Sequence, residues 1–149
     1  MKLGIFVNNL YKEAAGYTTT FLSRIASRRG HEVWYIGVGD FSVDQYGVYA
    51  NARMVKNTNH RTSLAYLKDL TSNEAITKRI NLNELDLLFL RSNPTEETSY
   101  HSWAKDAGIH FARLAMKKGL TVINSPHGLE RAASKLYMQN FSQEIRPLS

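Results

Sequence analysis

Short apolar runs that stop abruptly at polar residues limit the folds open to this chain more than any other feature of its sequence. Residues 3–7 (LGIFV) are followed by Asn8 and Asn9, and residues 86–90 (DLLFL) are followed by Arg91. Continuous apolar runs of about four to eight residues are typical of strands that are buried on both faces of a parallel sheet. We therefore expect an α/β domain, in which helices cover both faces of the sheet.

The N-terminal residues 1–37 have the pattern of a β-α-β unit. Residues 17–29 carry apolar side chains at helical spacing, namely at Phe21, Leu22, Ile25 and Ala26. Thr18 or Thr19 is a candidate N-cap of this helix, and Gly30 is placed to end it. A second apolar strand is predicted at 31–37.

The segment at 40–55 predicts an antiparallel hairpin that turns around 44–47. Alternation along its second half directs one face of the second strand inward, at Val48, Ala50, Ala52 and Met54. The other predicted elements are short helices at 63–70 and 73–80, a strand at 86–90, a helix at 101–118, a strand at 120–124 and a helical stretch at 134–141. The predicted fold is a Rossmann-like, three-layer α/β domain with a mainly parallel sheet and a hairpin appendage.

The composition excludes several classes of protein. The chain has no Cys, which excludes a disulfide scaffold, a thiolate zinc site and a cysteine nucleophile within it. Its apolar runs are far shorter than the ~20 residues of a membrane-spanning helix, and we expect a cytoplasmic protein without membrane contact. Lys and Arg total 19 against 13 Asp and Glu, a net charge of +6. Because these cations are dispersed, they favour a solvated basic surface over a nucleic-acid-binding patch.

Three strand exits mark the candidate site. In open α/β sheets, ligands bind beyond the carboxyl ends of the strands, which selects residues 8–9, 91–94 and 124–127. Arg91 follows an apolar strand directly. It is either a bidentate donor for a carboxylate or phosphate, or the partner of an acid at the rim of the sheet. The spacing favours neither interpretation.

Nucleotide-binding and catalytic motifs are missing from the sequence. Neither GxGxxG nor GxxxxGK[ST] occurs. His101 and His110 fall on different faces of the predicted helix, and His127 is interpreted as a capping or solvated residue. Asp40 and Asp44 are interpreted as hairpin residues rather than a carboxylate pair. We therefore assign no catalytic residue and no metal ligand from these patterns.

The last third of the chain resembles a known family. Residues 122–137 (VINSPHGLERAASKLY) resemble the passage V-N-x-P-x-x-L-R-x-x-x-x-K-L, in which prokaryotic glutathione synthetases pass from the N-terminal domain to the ATP-grasp domain. The segments KLGI, RRGHEV and GVYANAR and the strand that ends at Arg91 follow the family's order and spacing. The resemblance covers essentially the whole chain. It implies a pre-ATP-grasp, substrate-side domain at 1–125 and the start of the ATP-grasp region at 126–149.

The resemblance also implies an activity, that of an ATP-dependent carboxylate–amine ligase. In the family, ATP phosphorylates the carboxylate of γ-glutamylcysteine, and the amine of glycine attacks the acyl phosphate. ATP and Mg²⁺ are the implied cofactors of the full-length enzyme. Lys135 matches the family lysine that reaches ATP, and Arg91, with Ser92 and Asn93 after it, matches the substrate-side end of the central strand.

The implied partners are a small peptide or amino-acid substrate, the C-terminal ATP-grasp domain and a second copy in a homo-oligomer. ATP-grasp catalysis needs two further lobes, which this sequence does not contain. We therefore expect the 149-residue chain alone to be inactive and to hold no cofactor.

One segment departs from the family pattern. After the arginine, family members read K-D-P-P-F-D, whereas residues 92–97 here read SNPTEE. Because this segment faces the peptide substrate in the family, the acceptor stays open, and a glutamate-ligase-like relative with the same chemistry is one alternative. A non-catalytic Rossmann-like module that binds an anionic metabolite or a protein is another. A basic nucleic-acid adaptor ranks last.

Overall fold

A computed structural model describes residues 1–92, 106–132, 135–142 and 144. In chain order the helices and strands are β1 (Lys2–Phe6), α1 (Thr18–Arg28), β2 (Glu32–Ile36), β3 (Phe41–Asp44), β4 (Gly47–Met54), α2 (Ser63–Thr71), β5 (Ile76–Asn81), β6 (Leu87–Leu90), α3 (Ala107–Lys117), β7 (Thr121–Ile123) and α4 (Pro126–Ala132). Short 3-10 helices lie at Leu10–Lys12, Leu82–Glu84 and Lys135–Asn140.

The described strands form one sheet with a parallel half and an antiparallel half. The order is β3-β4-β2-β1-β6-β7, and β5 also pairs with β4. Strands β2, β1, β6 and β7 are parallel, whereas β4 runs antiparallel to β2, β3 and β5. Tyr35 of β2 pairs with Arg53 of β4, and this pairing joins the hairpin to the parallel strands. The predicted sheet and its hairpin appendage are confirmed.

Helices cover both faces of the sheet, so the predicted three-layer arrangement is also confirmed. Along β1, Ile5 packs in the cluster that contains Tyr66 of α2. Its neighbour Phe6 packs in the opposite cluster with Ala112 and Ala115 of α3. Successive side chains of a strand point to opposite faces, so a strand covered on both sides is apolar throughout. This is why residues 3–7 show no polar alternation.

Helix α1 buries a polar face and exposes part of its apolar face. Its buried side chains are Thr19, Thr20, Ser23, Arg24 and Ser27. Phe21 and Leu22, two of the apolar residues that predicted the helix, are 50% and 47% exposed. The sheet side supplies hydroxyl partners, since Tyr35 Oη donates to Ser23 Oγ at 2.9 Å. Buried hydroxyl groups are tolerated where such hydrogen bonds form.

The predicted cap of α1 is wrong, although its predicted end is right. The N-cap is Tyr17, which makes no side-chain capping hydrogen bond. The Thr20 hydroxyl donates instead to the carbonyl of Ala14 at 2.9 Å, and Thr19 contacts the end of β6, as described below. At the other end, Gly30 has φ of +84°, the left-handed conformation that favours glycine after a helix.

Two predicted helices differ from the structure. The helix predicted at 73–80 is wrong from residue 76 onward, because residues 76–81 form β5, which pairs along β4 from Met54–Ile76 to Tyr49–Asn81. Local propensity cannot detect this pairing, because the partner strand is distant in sequence. The stretch predicted at 134–141 contains a 3-10 helix at Lys135–Asn140, and Ser134 lies outside the described residues.

The helix predicted at 63–70 is confirmed as α2. The helix predicted at 101–118 is confirmed as α3 from Ala107 onward. Residues 101–105 of that prediction lie outside the described residues. None of the helices in the described part of the chain is long and apolar enough to cross a membrane.

A half-buried contact between His60 and Asp69 holds the loop after β4 against α2. His60 Nε2 lies 2.7 Å from Asp69 Oδ2, and both side chains are 14% exposed. The backbone N–H groups of Asn57 and Lys56 also donate to this carboxylate, at 3.0 and 3.3 Å. Burial alone would raise the pKa of Asp69, but these hydrogen bonds outweigh it and hold the pKa below its usual value.

This lowered pKa predicts an acid-dependent loss of stability. A carboxyl with a lower pKa in the folded state stabilises the protein above its unfolded pKa of about 3.9, and the contribution is lost as pH falls through the folded pKa. Asp69→Asn should lower the free energy of unfolding at pH 7 by about 1–3 kcal/mol. Urea unfolding at pH 7, 5 and 3.5 should show the difference between the two proteins shrinking only below about pH 4. A difference that stays constant down to pH 3.5 would contradict this account.

Candidate functional site

A cavity of about 700 Å³ opens at the carboxyl ends of β1 and β2. Asn8 and Asn9 line it after β1, Asp40 lines it after β2, and Arg53 of β4 forms part of its wall. Tyr17, the N-cap of α1, lines the opposite side. The cavity therefore lies at the edge of the sheet where open α/β domains bind their ligands.

Asp40 is a half-buried carboxylate of this cavity. Its Oδ2 accepts a hydrogen bond from the Gly37 backbone N–H at 2.7 Å, which closes the turn after β2. Burial raises the pKa of Asp40 above its usual value, and the bond from Gly37 opposes that shift. Among the described residues Asp40 has no ion-pair partner. The sequence interpretation of Asp40 as a hairpin residue thus missed its place in the cavity, although the Gly37-Val-Gly-Asp40 exit of β2 was a usable signal.

Asp44 does behave as a hairpin residue. Its Oδ1 accepts hydrogen bonds from the backbone N–H groups of Tyr46 and Gly47, and Arg79 Nη2 lies 3.0 Å from Oδ2. The side-chain hydrogen bond from Arg79 and the two backbone donors lower the pKa of Asp44.

Arg53 supports the cavity and is not free to bind a ligand with its whole guanidinium group. Its Nε donates to the carbonyl of Leu70 at 2.8 Å, and its Nη2 donates to the carbonyl of Ser72. Its Nη1 donates to the Tyr11 hydroxyl at 3.1 Å. Cations at the end of a helix satisfy carbonyls that lack partners within the helix, so Arg53 links the cavity wall to the end of α2.

Tyr35 forms the buried floor beside these groups. It lines the cavity, and its hydroxyl donates to Ser23. Burial raises the pKa of Tyr35 well above its ordinary value, and the nearby hydroxyl of Tyr66 raises it further. Tyr35 is therefore a neutral hydrogen-bonding group at physiological pH and no candidate base.

Arg91 lies at the carboxyl end of β6, next to the end of β1, and does not line the cavity. Its backbone N–H donates to the carbonyl of Phe6 at 2.8 Å, which continues the β1–β6 pairing. Its Nε donates to Thr19 Oγ1 at 3.0 Å, and its guanidinium carbon lies 5.5 Å from the centre of the Phe89 ring. The residue as a whole is exposed. Within the described part of the chain it pairs with no acid, and its ligand-binding role stays a prediction.

The other residues selected from the sequence are less fully described. Ser92 follows Arg91 and is half-buried, whereas Asn93 lies outside the described residues. Lys135 begins the 3-10 helix at Lys135–Asn140, and its side chain lies outside the described residues. Their assigned roles stay predictions, as do the domain limits at 1–125 and 126–149.

The three predicted strand exits lie side by side, because β1, β6 and β7 are neighbours in the sheet. Asn124 Nδ2 donates to the carbonyl of Leu90 at 2.7 Å and so ties the exit of β7 to that of β6. His127 is exposed, and its Nδ1 lies 3.1 Å from Arg113 Nη2. In the described ranges no group of three His, Asp or Glu side chains is placed to hold a metal ion.

Thr19 is the residue at this edge that sequence analysis missed as a site residue. It was considered only as a helix cap, and Arg91, which it contacts, is 72 positions away in the sequence. No local pattern could have identified this pair, since it depends on how α1 packs against the ends of β1 and β6.

Comparison with known proteins gives a consistent result. The family described as prokaryotic glutathione synthetase, N-terminal domain, matches residues 1–130. The glutathione synthetase of Gloeobacter violaceus is 31% identical over 144 residues, which are 95% of this chain and 42% of that protein. That of Buchnera aphidicola is 25% identical over 147 residues, or 96% of this chain and 41% of that protein.

The glutathione synthetase of Vibrio cholerae is 24% identical over 150 residues, covering 100% of this chain and 43% of that protein. The chain thus spans about two-fifths of the length of these relatives. With its parallel strands, its hairpin and a family match over most of its length, the chain belongs to the prokaryotic glutathione synthetase N-terminal domain family.

Proposed function

We propose that this chain forms the substrate-side domain of an ATP-dependent carboxylate–amine ligase of the glutathione synthetase type. The observation that carries the proposal is Arg91, an exposed arginine without an acidic partner in the described residues, at the carboxyl end of a central parallel strand. A guanidinium group in that position offers a planar, permanently charged donor for a carboxylate. The family membership supports the same function, as does a cavity at the carboxyl ends of β1 and β2, on the same edge of the sheet as Arg91.

The proposed reaction has two steps. A carboxylate oxygen of the γ-glutamyl dipeptide attacks the γ-phosphorus of ATP, so that ADP leaves and an acyl phosphate forms. The amine of glycine, after losing a proton, then attacks the acyl carbon; the C–N bond forms, the C–O bond breaks and inorganic phosphate leaves. The acyl phosphate lowers the barrier because phosphate is a far better leaving group than the oxygen of a free carboxylate.

The residues of this chain would bind and orient the substrate rather than perform the chemistry. Arg91 would pair with a substrate carboxylate, Ser92 and Asn93 would add polar contacts, and the cavity would hold the remaining part of the peptide. Mg²⁺ would neutralise phosphate charge in the complete enzyme. Because the described residues contain no three-residue acid or histidine cluster, we assign its ligands to none of them. Lys135 is proposed to contact ATP, and the 149-residue chain by itself is proposed to be inactive.

The full-length protein, incubated with ATP, Mg²⁺, γ-glutamylcysteine and glycine, tests the proposal. We expect one ADP, one phosphate and one tripeptide per cycle, measured by coupled ADP release and by mass spectrometry of the product. A panel in which γ-glutamylcysteine is replaced by glutamate or by other γ-glutamyl dipeptides tests the alternative acceptor that residues 92–97 leave open. No ADP release with any of these substrates would refute the ligase function.

A further inference from the structure

The Arg91 side chain is held by one end of its guanidinium group. Phe89 and Arg91 are two positions apart, so both side chains project from the face of the sheet that α1 covers. There Nε donates to Thr19 Oγ1 at 3.0 Å. Within the described residues this is the hydrogen bond that the guanidinium group makes, and Nη1 and Nη2 make none there.

Thr19 itself is rigidly placed. It is the second residue of α1 and is only 5% exposed. Thr20, in the same turn of the helix, is completely buried. Its hydroxyl donates to the carbonyl of Ala14 at 2.9 Å. A β-branched side chain packed in a helix has few accessible χ1 rotamers. Burial thus restricts the Thr19 side chain, and its hydroxyl accepts the hydrogen bond from Arg91 Nε.

We propose that Thr19 is a positioning residue that holds Arg91 by its Nε, so that Nη1 and Nη2 form an end-on fork for the substrate carboxylate. This inference rests on the proposed function of Arg91 and adds a residue and a geometry to it. A guanidinium group can meet a carboxylate with its two Nη atoms or with Nε and one Nη. Because the contact with Thr19 occupies Nε, a carboxylate would have to bind through the two Nη atoms.

The expected benefit is preorganisation. A free arginine side chain loses rotamer freedom when it binds a ligand, whereas a side chain already held in its bound conformation loses less. Removing the Thr19 hydroxyl should therefore weaken substrate binding by about 3- to 10-fold, the range expected for ordering one long side chain. The effect should be smaller than that of removing Arg91 altogether.

Steady-state kinetics of the full-length protein tests the proposal. Thr19→Val should raise KM for the peptide substrate by about 3- to 10-fold and leave kcat and KM for ATP within twofold of the wild type. Thr19→Ser keeps the hydroxyl, and its KM for the peptide should therefore stay close to that of the wild type. In the double variant Thr19→Val/Arg91→Ala, KM should equal that of Arg91→Ala alone, because a positioning residue has no effect once its target is gone.

Thr20→Val is the matched control. It removes a buried hydroxyl from the same turn of α1, but the hydroxyl contacts Ala14 instead of Arg91. We expect Thr20→Val to lower the midpoint of thermal unfolding. If it also changes KM for the peptide, its fold-change and that of Arg91→Ala should multiply in the double variant. The positioning role is wrong if the fold-changes in KM of Thr19→Val and Arg91→Ala also multiply in their double variant. It is also wrong if a Thr19→Ser variant folds but does not have the KM of the wild type.

A second measurement does not depend on ligase activity. The Nε proton of Arg91 should exchange slowly with solvent in the wild type and in Thr19→Ser, and rapidly in Thr19→Val, when followed by NMR of the ¹⁵N-labelled protein. Fast exchange in the wild type would refute the contact with Thr19. If exchange is slow but Arg91→Ala leaves KM for the peptide unchanged, the failure lies in the proposed carboxylate contact, and Thr19 then has no role in binding.

Discussion

Replacing Arg91 by Ala should raise KM for the peptide substrate of the full-length protein by a factor of roughly 30 or more. Losing a bidentate partner leaves the substrate carboxylate without its matching charge, which costs about 2–5 kcal/mol in comparable sites. KM for ATP should change little, because the proposed function assigns Arg91, at the carboxyl end of β6, to the peptide and not to ATP. Initial rates with each substrate varied in turn provide the measurement.

Two variants sharpen this prediction. Arg91→Lys should recover only part of the loss, because an ammonium group cannot reproduce the planar fork of a guanidinium. Lys135→Ala should show the opposite pattern, with a raised KM for ATP and little change for the peptide. An Arg91→Ala protein that folds and has wild-type peptide kinetics would show that Arg91 is a structural residue of the sheet edge.

Gly108→Ala should be among the most destabilising single-methyl additions in the domain. A Cβ at this position of α3 would lie 1.9 Å from a ring carbon of Phe6. The ring cannot move aside easily, because Phe6 is only 1% exposed and packs against Phe41 at 5.2 Å, which in turn stacks on Phe111 at 4.5 Å. Overpacking of this kind costs about 1–3 kcal/mol or more, although Ala is otherwise the better helix former.

Thermal unfolding provides the test of this close approach. The midpoint should fall by roughly 2–4 °C for each kcal/mol lost in a chain of this size. Gly39→Ala is the matched control, because a Cβ there meets no atom within 4 Å. In the double variant Gly108→Ala/Phe6→Leu, a smaller side chain replaces the Phe6 ring, and part of the fall in the unfolding midpoint should be recovered. Equal midpoints for Gly108→Ala and the wild type would mean that α3 does not approach β1 as closely as described.

Much of the architecture could be predicted because it depends on local patterns. The uninterrupted apolar run at 3–7 corresponds to β1, which is covered on both faces, and Gly30 has the positive φ of a helix-ending glycine. The hairpin turn around Asp44 and the inward side chains of Val48 and Ala50 also follow from residue type and alternation. In each case the neighbours that determine the conformation lie within a few positions in the sequence.

The candidate site could be predicted only as an edge of the sheet. The strand exits at Asn8, Arg91 and Asn124 were recognisable from the apolar runs before them, and the order of the strands brings them together. The cavity itself was not predictable, because its walls come from the segments that follow β1 and β2, from β2, β4 and β5 and from the N-terminus of α1. Asp40 was accordingly assigned to the hairpin alone.

Local patterns in the sequence were enough to predict the class of fold and most of the strands, and they led to the prediction that a ligand site lies at the carboxyl ends of the strands. Three features depend instead on packing between elements that are distant in sequence: the buried face of α1, the strand at 76–81, and the contact between Thr19 and Arg91, which are 72 positions apart. The physical reason is that periodicity and propensity report interactions within one element, whereas burial of a helix face and pairing of an edge strand depend on the partner that packs there. For α1 that partner supplies tyrosine hydroxyls, and a face of Thr and Ser is therefore the one that the protein buries.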